Sequence, residues 1–258
     1  MNIPEYLEQL RQWVEAKEPF YHVRYNDGES LAMYRQGKRK GCPRHVYTPE
    51  ISAALKFTLD RIVRSSRPNI LLGSNCDRFK YIDRGLLATF LGKYPHLCLV
   101  VPGDSWYTTE EEVTNEPLTD KGLIGLIDTV RQNGKVVLVT NSLLQDAKYC
   151  LGATWVEVPP VDGWQEHDRV LSDCFLQGGK DSIYIWCAGF PGKVLSWQVW
   201  DKRPQTSHID LGSLFDCVFH VGIANWMLRK GKEPHQLHRQ YVEKVIEPYV
   251  KSFIPKER

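Results

Sequence analysis

The sequence predicts an α/β protein in which a mostly parallel sheet carries helices on both faces and is followed by a helical C-terminal tail. Short apolar runs of strand length alternate along the chain with segments whose apolar residues recur at helical spacing. This alternation is typical of parallel strands joined by crossover helices. The length of 258 residues and the hydrophobic fraction of 42% fit one domain with a substantial core. We predict that domain over residues 1–258, with 215–258 as a basic helical extension.

The strands are predicted from short apolar runs bounded by turn residues. The clearest is 135–141, in which β-branched residues dominate. In chain order the predicted strands are 20–25, 69–73, 97–101, 135–141, 154–158, 181–187 and 206–211.

The helices are predicted from periodicity and from their end signals. Pro49 suits the first turn of a helix over 48–64, and Gly134 ends the helix over 118–133. The other predicted helices are 4–16, 29–34, 81–92, 143–151, a helix that follows the loop 162–168 and reaches 177, and 193–200 after a tight turn at 188–192.

Composition excludes several classes of protein. The net charge of +2 is too small by itself to indicate nucleic acid or an anionic membrane as a partner, and local basic clusters are judged separately. No apolar stretch approaches the roughly 20 residues of a membrane span, and residues 1–12 lack the pattern of a signal peptide. Seven cysteines without a Cys-x-x-Cys pair favour free buried thiols over disulfides or a zinc site. We therefore expect a cytoplasmic protein, in which His235 and His238 form a surface pair and not a metal site.

Two carboxylates follow the first predicted strand directly. Asp27 and Glu29 are separated by one residue, so their side chains can project to the same side. Mg²⁺ or Mn²⁺ is often held by one or two carboxylates, with water and substrate phosphates completing its shell. The pair therefore predicts a divalent cation site, although Asp-Gly is also an ordinary turn dipeptide.

Other polar turns are expected on the same rim of the sheet, since ligands of such sheets bind beyond the carboxyl ends of the strands. They are 26–29, 74–77, 104–107, 162–168 and 189–192. A separate basic stretch, 37–43, is predicted to be a loop that is either solvated or in contact with phosphate.

Several enzyme signatures are missing from the sequence. It contains no P-loop, no Gly-x-Gly-x-x-Gly after a strand, no Gly-x-Ser-x-Gly and no His-Glu-x-x-His. Their absence weakens ATPase, dehydrogenase, serine hydrolase and zinc protease interpretations.

The stretch Arg24-Tyr25-Asn26-Asp27-Gly28-Glu29 resembles the Arg-Phe-Gly-Asp-Gly-Glu signature of the GT-D glycosyltransferases, a family formerly called a domain of unknown function. Residues 158–168, 181–192 and 207–212 resemble later segments of that family in the same order, so that the similarity spans roughly Phe20 to Asp216. Two positions depart from the family pattern. Asn26 replaces a glycine, and Ser213 stands where the family has a histidine.

The resemblance implies a Rossmann-like, GT-D-like fold and a nucleoside-diphosphate sugar donor. It implies that Asp27 and Glu29 bind the metal, Mn²⁺ or Mg²⁺. The residues that we assign to the nucleotide sugar are Arg24, Asn26, Gly28, Gly73, Ser74, Asn75, Gly189, Gly192 and Asp210. Arg24 suits either a diphosphate or a salt bridge that orients a metal-binding carboxylate. Tight strand–helix packing is the alternative explanation for Gly189 and Gly192.

The sequence defines the acceptor site less well than the donor site. Asp104, Asp162, Glu166 and Asp168 are candidates for the general base, and Trp106 and Trp164 for stacking on the acceptor. The predicted function is transfer of a sugar to a hydroxyl of a glycan, a glycoprotein or a modified nucleic-acid base. The alternatives are a metal-dependent phosphohydrolase or nuclease, and a non-catalytic nucleic-acid-binding protein that uses the basic tail.

Overall fold

A computed structural model describes residues 3–25, 29, 32–33, 37–39, 42–74, 92, 98–100, 122–219 and 242–256. In this part of the chain, seven strands form one parallel sheet in the order β5-β4-β1-β9-β8-β6-β7, and β2 and β3 form a separate antiparallel pair. The strands are β1 (Tyr21–Tyr25), β2 (Gly37–Arg39), β3 (Cys42–Tyr47), β4 (Ile70–Ser74), β5 (Cys98–Val100), β6 (Lys135–Thr140), β7 (Thr154–Glu157), β8 (Ser182–Cys187) and β9 (Ser207–Asp210).

The described helices connect these strands and follow them. They are α1 (Ile3–Glu15), α2 (Pro49–Arg64), α3 (Leu123–Asn133), α4 (Ala147–Leu151), α5 (His167–Gln177), α6 (Gly189–Lys202), α7 (Leu214–Val218) and α8 (Glu247–Lys251). Short 3-10 turns cover Ser142–Leu144 and Gly163–Glu166, and a π-helical turn covers Val242–Ile246. None of the described helices is both long and apolar enough to cross a membrane.

Alternation along the strands supplies both faces of the sheet with apolar side chains. In β6, Val136 and Leu138 belong to a cluster that includes residues of α1 and α3. Val137 and Val139 belong to a second cluster, together with Val170 of α5 and neighbouring side chains. Successive strand residues point to opposite faces, so one strand contributes to both clusters. Helices therefore cover both faces, and the predicted fold class is confirmed.

β1 and β9 lie side by side near the middle of the sheet. The next two parallel strands in the chain, β4 and β5, lie on one side of β1, whereas the last strand, β9, lies on the other. The helix α2, which precedes β4, packs against α6, which precedes β9, so both lie on the same face of the sheet. Ligands of parallel sheets bind outside the carboxyl ends of the strands. We call the region beyond the carboxyl ends of β1 and β9 the β1/β9 crevice, and a ligand site is expected there.

Two local predictions were wrong. The stretch 37–43 was predicted to be a loop, but Gly37–Arg39 pairs with Cys42–Tyr47 in an antiparallel hairpin whose register shifts at Lys38/Arg39. Its sequence does not alternate apolar and polar residues, which is the pattern from which a half-buried strand is predicted. The tight turn predicted before a helix at 193 is itself the first turn of α6, which begins at Gly189. The predicted helix 81–92 lies outside the described residues, apart from Gly92.

Candidate active site at the β1/β9 crevice

Asp210 joins three segments at the carboxyl end of the sheet. It is the last residue of β9, and 3% of it is exposed. Its Oδ2 accepts a hydrogen bond from the backbone N–H of Arg24 in β1, at 3.0 Å, and another from the ammonium of Lys193 in α6. Its Oδ1 accepts one from the backbone N–H of Gly212, at 3.0 Å. The carboxylate thereby holds β1, β9 and α6 together.

The charge state of Asp210 follows from these contacts. Burial by itself favours the neutral acid, but the positive charges of Lys193 and Arg24 outweigh it and hold the pKa of Asp210 below its usual value. The group is therefore a carboxylate at neutral pH.

Lys193 connects this carboxylate to Glu29. Its Nζ lies 3.7 Å from Glu29 Oε1, and both side chains are at least nine-tenths buried. The backbone carbonyl of Lys193 accepts hydrogen bonds from the hydroxyls of Tyr21, at 3.3 Å, and Ser196, at 3.1 Å. Lys193 is thus held at both its main chain and its ammonium.

The side chain of Arg24 occupies a channel that two glycines leave open. Gly73 pairs in register with Arg24, and a Cβ at this glycine would lie 2.8 Å from Arg24 Cγ. A Cβ at Gly212 would lie 1.9 Å from Arg24 Nη2, and Gly212 has a φ of 56°. A side chain at either position would therefore require Arg24 to shift, and at Gly212 it would also have to adopt a positive φ.

Two buried histidines next to the crevice are neutral. Burial lowers the pKa of His22 to about 3, and its Nδ1 accepts a hydrogen bond from the backbone N–H of Asp210 at 3.2 Å. Burial also lowers the pKa of His208 to about 3. The indole N–H of Trp186 donates to His208 Nδ1 at 3.0 Å, so the proton of the neutral ring lies on Nε2, which is 2.9 Å from Thr206 Oγ1. Both histidines are structural groups at neutral pH.

Two solved structures share this architecture. Both are of the domain of unknown function 1792, and one is described as having a distinct glycosyltransferase fold. They superpose with TM-scores of 0.53 and 0.52 at 16% sequence identity, over 84% of this chain and 78% of theirs. This chain has the glycosyltransferase fold of that domain. No protein-family model matches the sequence, and no curated protein does either.

Within this glycosyltransferase fold, four predicted site residues come together. Arg24, Glu29 and Asp210 form a buried charge cluster with Lys193, and Gly73 lies beneath Arg24. Two roles were open for Arg24, contact with a diphosphate or a salt bridge that orients a metal-binding carboxylate. Its burial between two glycines agrees better with the second, a positioning role. Ser74 ends β4 in register with Tyr25.

The two glycines of α6 have different surroundings. Gly189 has a φ of 59°, a left-handed conformation that glycine adopts without strain, and it is exposed at the start of the helix. A Cβ at Gly192 would lie 3.0 Å from Ala188 Cβ. A Cβ at Gly192 would also lie 3.8 Å from Trp186 Cε3 of β8, whereas Gly189 is exposed at the start of the helix; the assignment of both glycines to the nucleotide sugar stays a prediction.

Four other predicted site residues follow β7, at the edge of the sheet. Four strand spacings of about 4.8 Å separate β7 from β1, a distance of roughly 19 Å. Asp162 has a φ of 50°, Glu166 binds Arg169 at 2.6 Å, and Asp168 projects into solvent. The Trp164 ring stacks on His167 with centroids 4.6 Å apart. These residues follow a strand that is far from the charge cluster at β1 and β9. The carboxyl ends of the strands form one edge of the sheet, but that edge is too long for all of its turns to meet.

The remaining predicted site residues lie outside the described part of the chain. They are Asn26, Asp27, Gly28, Asn75, Asp104 and Trp106. Their assignments stay predictions.

Sequence reasoning missed Lys193 and Gly212. A signal for the first was present, since Lys193 directly precedes Val194 and Leu195 in a segment that is otherwise apolar. Gly212 ends the stretch 207–212 that resembles a family segment, but no role was assigned to it, because its role depends on the reach of Arg24 from another strand.

Of the two predicted metal ligands, Glu29 is the one that the structure describes. Within the described residues, no three His, Cys, Asp or Glu side chains form a metal-binding group. Asp210 accepts from three donors, and Glu29, the described carboxylate that follows β1, lies 3.7 Å from Lys193 Nζ. The assignment of Asp27 and Glu29 to a divalent metal therefore stays a prediction.

Proposed function

We propose that the protein is a metal-dependent glycosyltransferase that moves a sugar from a nucleoside-diphosphate sugar to an acceptor hydroxyl. The observation that carries this proposal is the buried cluster of Arg24, Glu29, Lys193 and Asp210 at the β1/β9 crevice of a glycosyltransferase fold. Two anions and two cations buried together cost more free energy than they return unless they are closely arranged. An arrangement of this kind at a ligand crevice favours a functional role.

The donor diphosphate would lie at the start of α6. This helix has 14 residues, begins at the exposed Gly189 and has no side chain that caps it. The free N–H groups and the helix dipole favour an anion at such an end. The same end lies next to Lys193 and so next to Glu29.

Glu29 and Asp27 would hold Mn²⁺ or Mg²⁺. The cation would neutralise charge on the departing nucleoside diphosphate. Arg24 and Lys193 contribute positive charge around Glu29 without being exposed themselves. They would offset the negative charges of Glu29 and Asp210, so that the cluster adds no net negative charge opposite a diphosphate.

The strand order reduces the number of candidates for the general base. Asp162, Glu166 and Asp168 follow β7, four strand positions from β1, whereas Asp104 follows β5, two positions away. We therefore favour Asp104 as the base for the acceptor hydroxyl. Trp164, near the β7 edge, would contact a distant part of an extended acceptor.

The proposal is tested with purified full-length protein and a panel of nucleotide sugars. We expect Mn²⁺-dependent hydrolysis or transfer with one donor, and its loss in Asp27→Ala and Glu29→Ala while the fold is retained. Glu15→Gln, on the exposed side of α1, is the matched carboxylate control. Phosphate release without sugar transfer would indicate a phosphohydrolase. Salt-dependent DNA binding that survives both alanine substitutions would indicate a nucleic-acid-binding protein.

A further inference from the structure

The main-chain pairing between β1 and β9 ends after one residue pair. Tyr21 pairs with His208, whose N–H donates to Phe20 O at 2.9 Å, and within the described residues of these two strands the register contains that pair alone. By contrast, β1 pairs with β4 over five residues, and β9 pairs with β8 over four. Because Tyr21 is the first residue of β1, the sheet opens between β1 and β9 towards their carboxyl ends.

Side chains replace main-chain acceptors in this opening. In an uninterrupted parallel ladder, the N–H of Asp210 would donate to the main-chain carbonyl of His22, and the N–H of Arg24 to that of Asp210. In the structure, the N–H of Asp210 donates to His22 Nδ1 at 3.2 Å, and the N–H of Arg24 donates to Asp210 Oδ2 at 3.0 Å. Each acceptor atom belongs to the residue whose carbonyl would have served. Both donors are therefore satisfied although the two main chains have separated.

The surroundings of the His22 ring suit this bond. The ring of Tyr6 in α1 meets it edge to face, with centroids 5.1 Å apart and an interplanar angle of 82°. Burial lowers the pKa of His22 to about 3, so the ring is neutral and Nδ1 can accept while Nε2 carries the proton. Asp210 also binds Lys193 of α6, so the spacing of β1 and β9 is passed on to the helix that begins at the crevice.

The bond between Asp210 and His22 determines how far β9 lies from β1. Strands that pair through their main chains lie about 4.8 Å apart, whereas a ring nitrogen reaches beyond the main chain and supplies an acceptor without a charge. We propose that His22 is a positioning residue, whose ring holds the carboxyl end of β9 at a fixed distance from β1 and so sets the width of the β1/β9 crevice. That the crevice binds a sugar donor rests on the proposed function, but the spacing of the strands does not.

Two NMR measurements on the full chain test the bond without any donor. The first is the tautomer of His22 in the wild type, read from the ¹⁵N shifts of the ring, and we expect the proton on Nε2. The second is hydrogen exchange of the Asp210 amide relative to the amides of β8. His22→Leu keeps the bulk and removes the acceptor, so it should speed this exchange by about 10-fold, because a buried donor loses its partner. His22→Asn, whose Oδ1 can replace Nδ1, should retain most of the protection.

His208→Leu is the matched control. His208 is also a buried neutral histidine of this sheet, but its ring nitrogens bond to side chains, those of Trp186 at 3.0 Å and Thr206 at 2.9 Å. The control should lower stability and leave the relative exchange of the Asp210 amide unchanged. With a donor that is turned over, His22→Leu should lower kcat/KM by about 10- to 100-fold, chiefly through KM, because the donor site is displaced. His208→Leu should keep the wild-type KM.

The outcomes separate this inference from the proposed function. Faster Asp210 exchange and a raised KM in His22→Leu support both, whereas faster exchange with a wild-type KM overturns the positioning role. Faster exchange in a protein that turns over no nucleotide sugar supports the strand spacing and contradicts the proposed function. A proton on Nδ1 overturns the inference, as does unchanged exchange in His22→Leu. If His22→Leu does not fold, the Nε2 tautomer with protection retained in His22→Asn supports the inference, and protection lost in His22→Asn overturns it.

Discussion

Gly73→Ala tests whether the channel for Arg24 has the geometry described above. The new Cβ would lie 2.8 Å from Arg24 Cγ, whereas carbon atoms in contact are separated by about 3.5–4.0 Å. Arg24 has to move by roughly 0.7 Å, yet its main chain is bound to Asp210 and its guanidinium lies against Gly212. Overpacking of this kind costs about 1–3 kcal/mol, and the lower entropy of the unfolded alanine chain returns about 0.4–1 kcal/mol. The net expectation is a destabilisation between about 0 and 2.6 kcal/mol, and relative to a glycine-to-alanine change without overpacking the expected loss is about 1–3 kcal/mol.

The assay is urea unfolding followed by tryptophan fluorescence. Gly179→Ala is the matched control, because nothing lies within 4 Å of its added Cβ, and it should be neutral or slightly stabilising. Mn²⁺-dependent donor turnover should fall in Gly73→Ala and not in Gly179→Ala. An unfolding midpoint for Gly73→Ala equal to that of the control would refute the proposed placement of Arg24.

Three further predictions follow from the same contacts. Glu29→Gln should lower donor turnover by at least 10-fold in Mn²⁺ in protein that is still folded, because it keeps the shape and removes the charge that a cation needs; equal turnover would contradict its metal role. The folded-state pKa values of His22 and His208, about 3, lie below 6.5, so the unfolded chain binds more protons, and stability should fall by about 1.4 kcal/mol per pH unit per histidine as the pH drops from about 6 to 4; a flat stability profile over that window would exclude neutral burial. Tyr249→Phe should destabilise by about 1 kcal/mol, because the hydroxyl donates to Asp128 at 2.5 Å, and unchanged stability would show that water replaces this bond without cost.

Much of the fold is predictable because its signals are local. The strand at 135–140 consists of β-branched and apolar residues, and Pro49 and Gly134 flank helices where propensity places them. The hairpin at 37–47 was missed because its residues lack the alternation that marks a half-buried strand. Strand bounds therefore follow from the sequence wherever the core imposes a pattern.

The candidate site was predictable only in part, because it is assembled from residues far apart in sequence. Arg24 and Glu29 were found through the polar turn after the first strand. The pairing of Lys193 with Asp210 depends on β9 lying between β1 and β8, and a single sequence does not fix that order. The need for glycine at 73 depends likewise on the register of β4 with β1. Strand order and register, and not residue chemistry, limited the prediction.

The most direct test of the account is a thermal-shift screen of nucleoside-diphosphate sugars with and without Mn²⁺, run on the wild-type protein and on Glu29→Gln. The account predicts that one donor raises the melting temperature of the wild type only when Mn²⁺ is present, and that Glu29→Gln loses this response. A wild-type protein that responds to no donor in either Mn²⁺ or Mg²⁺, or a Glu29→Gln protein that responds as the wild type does, would contradict it.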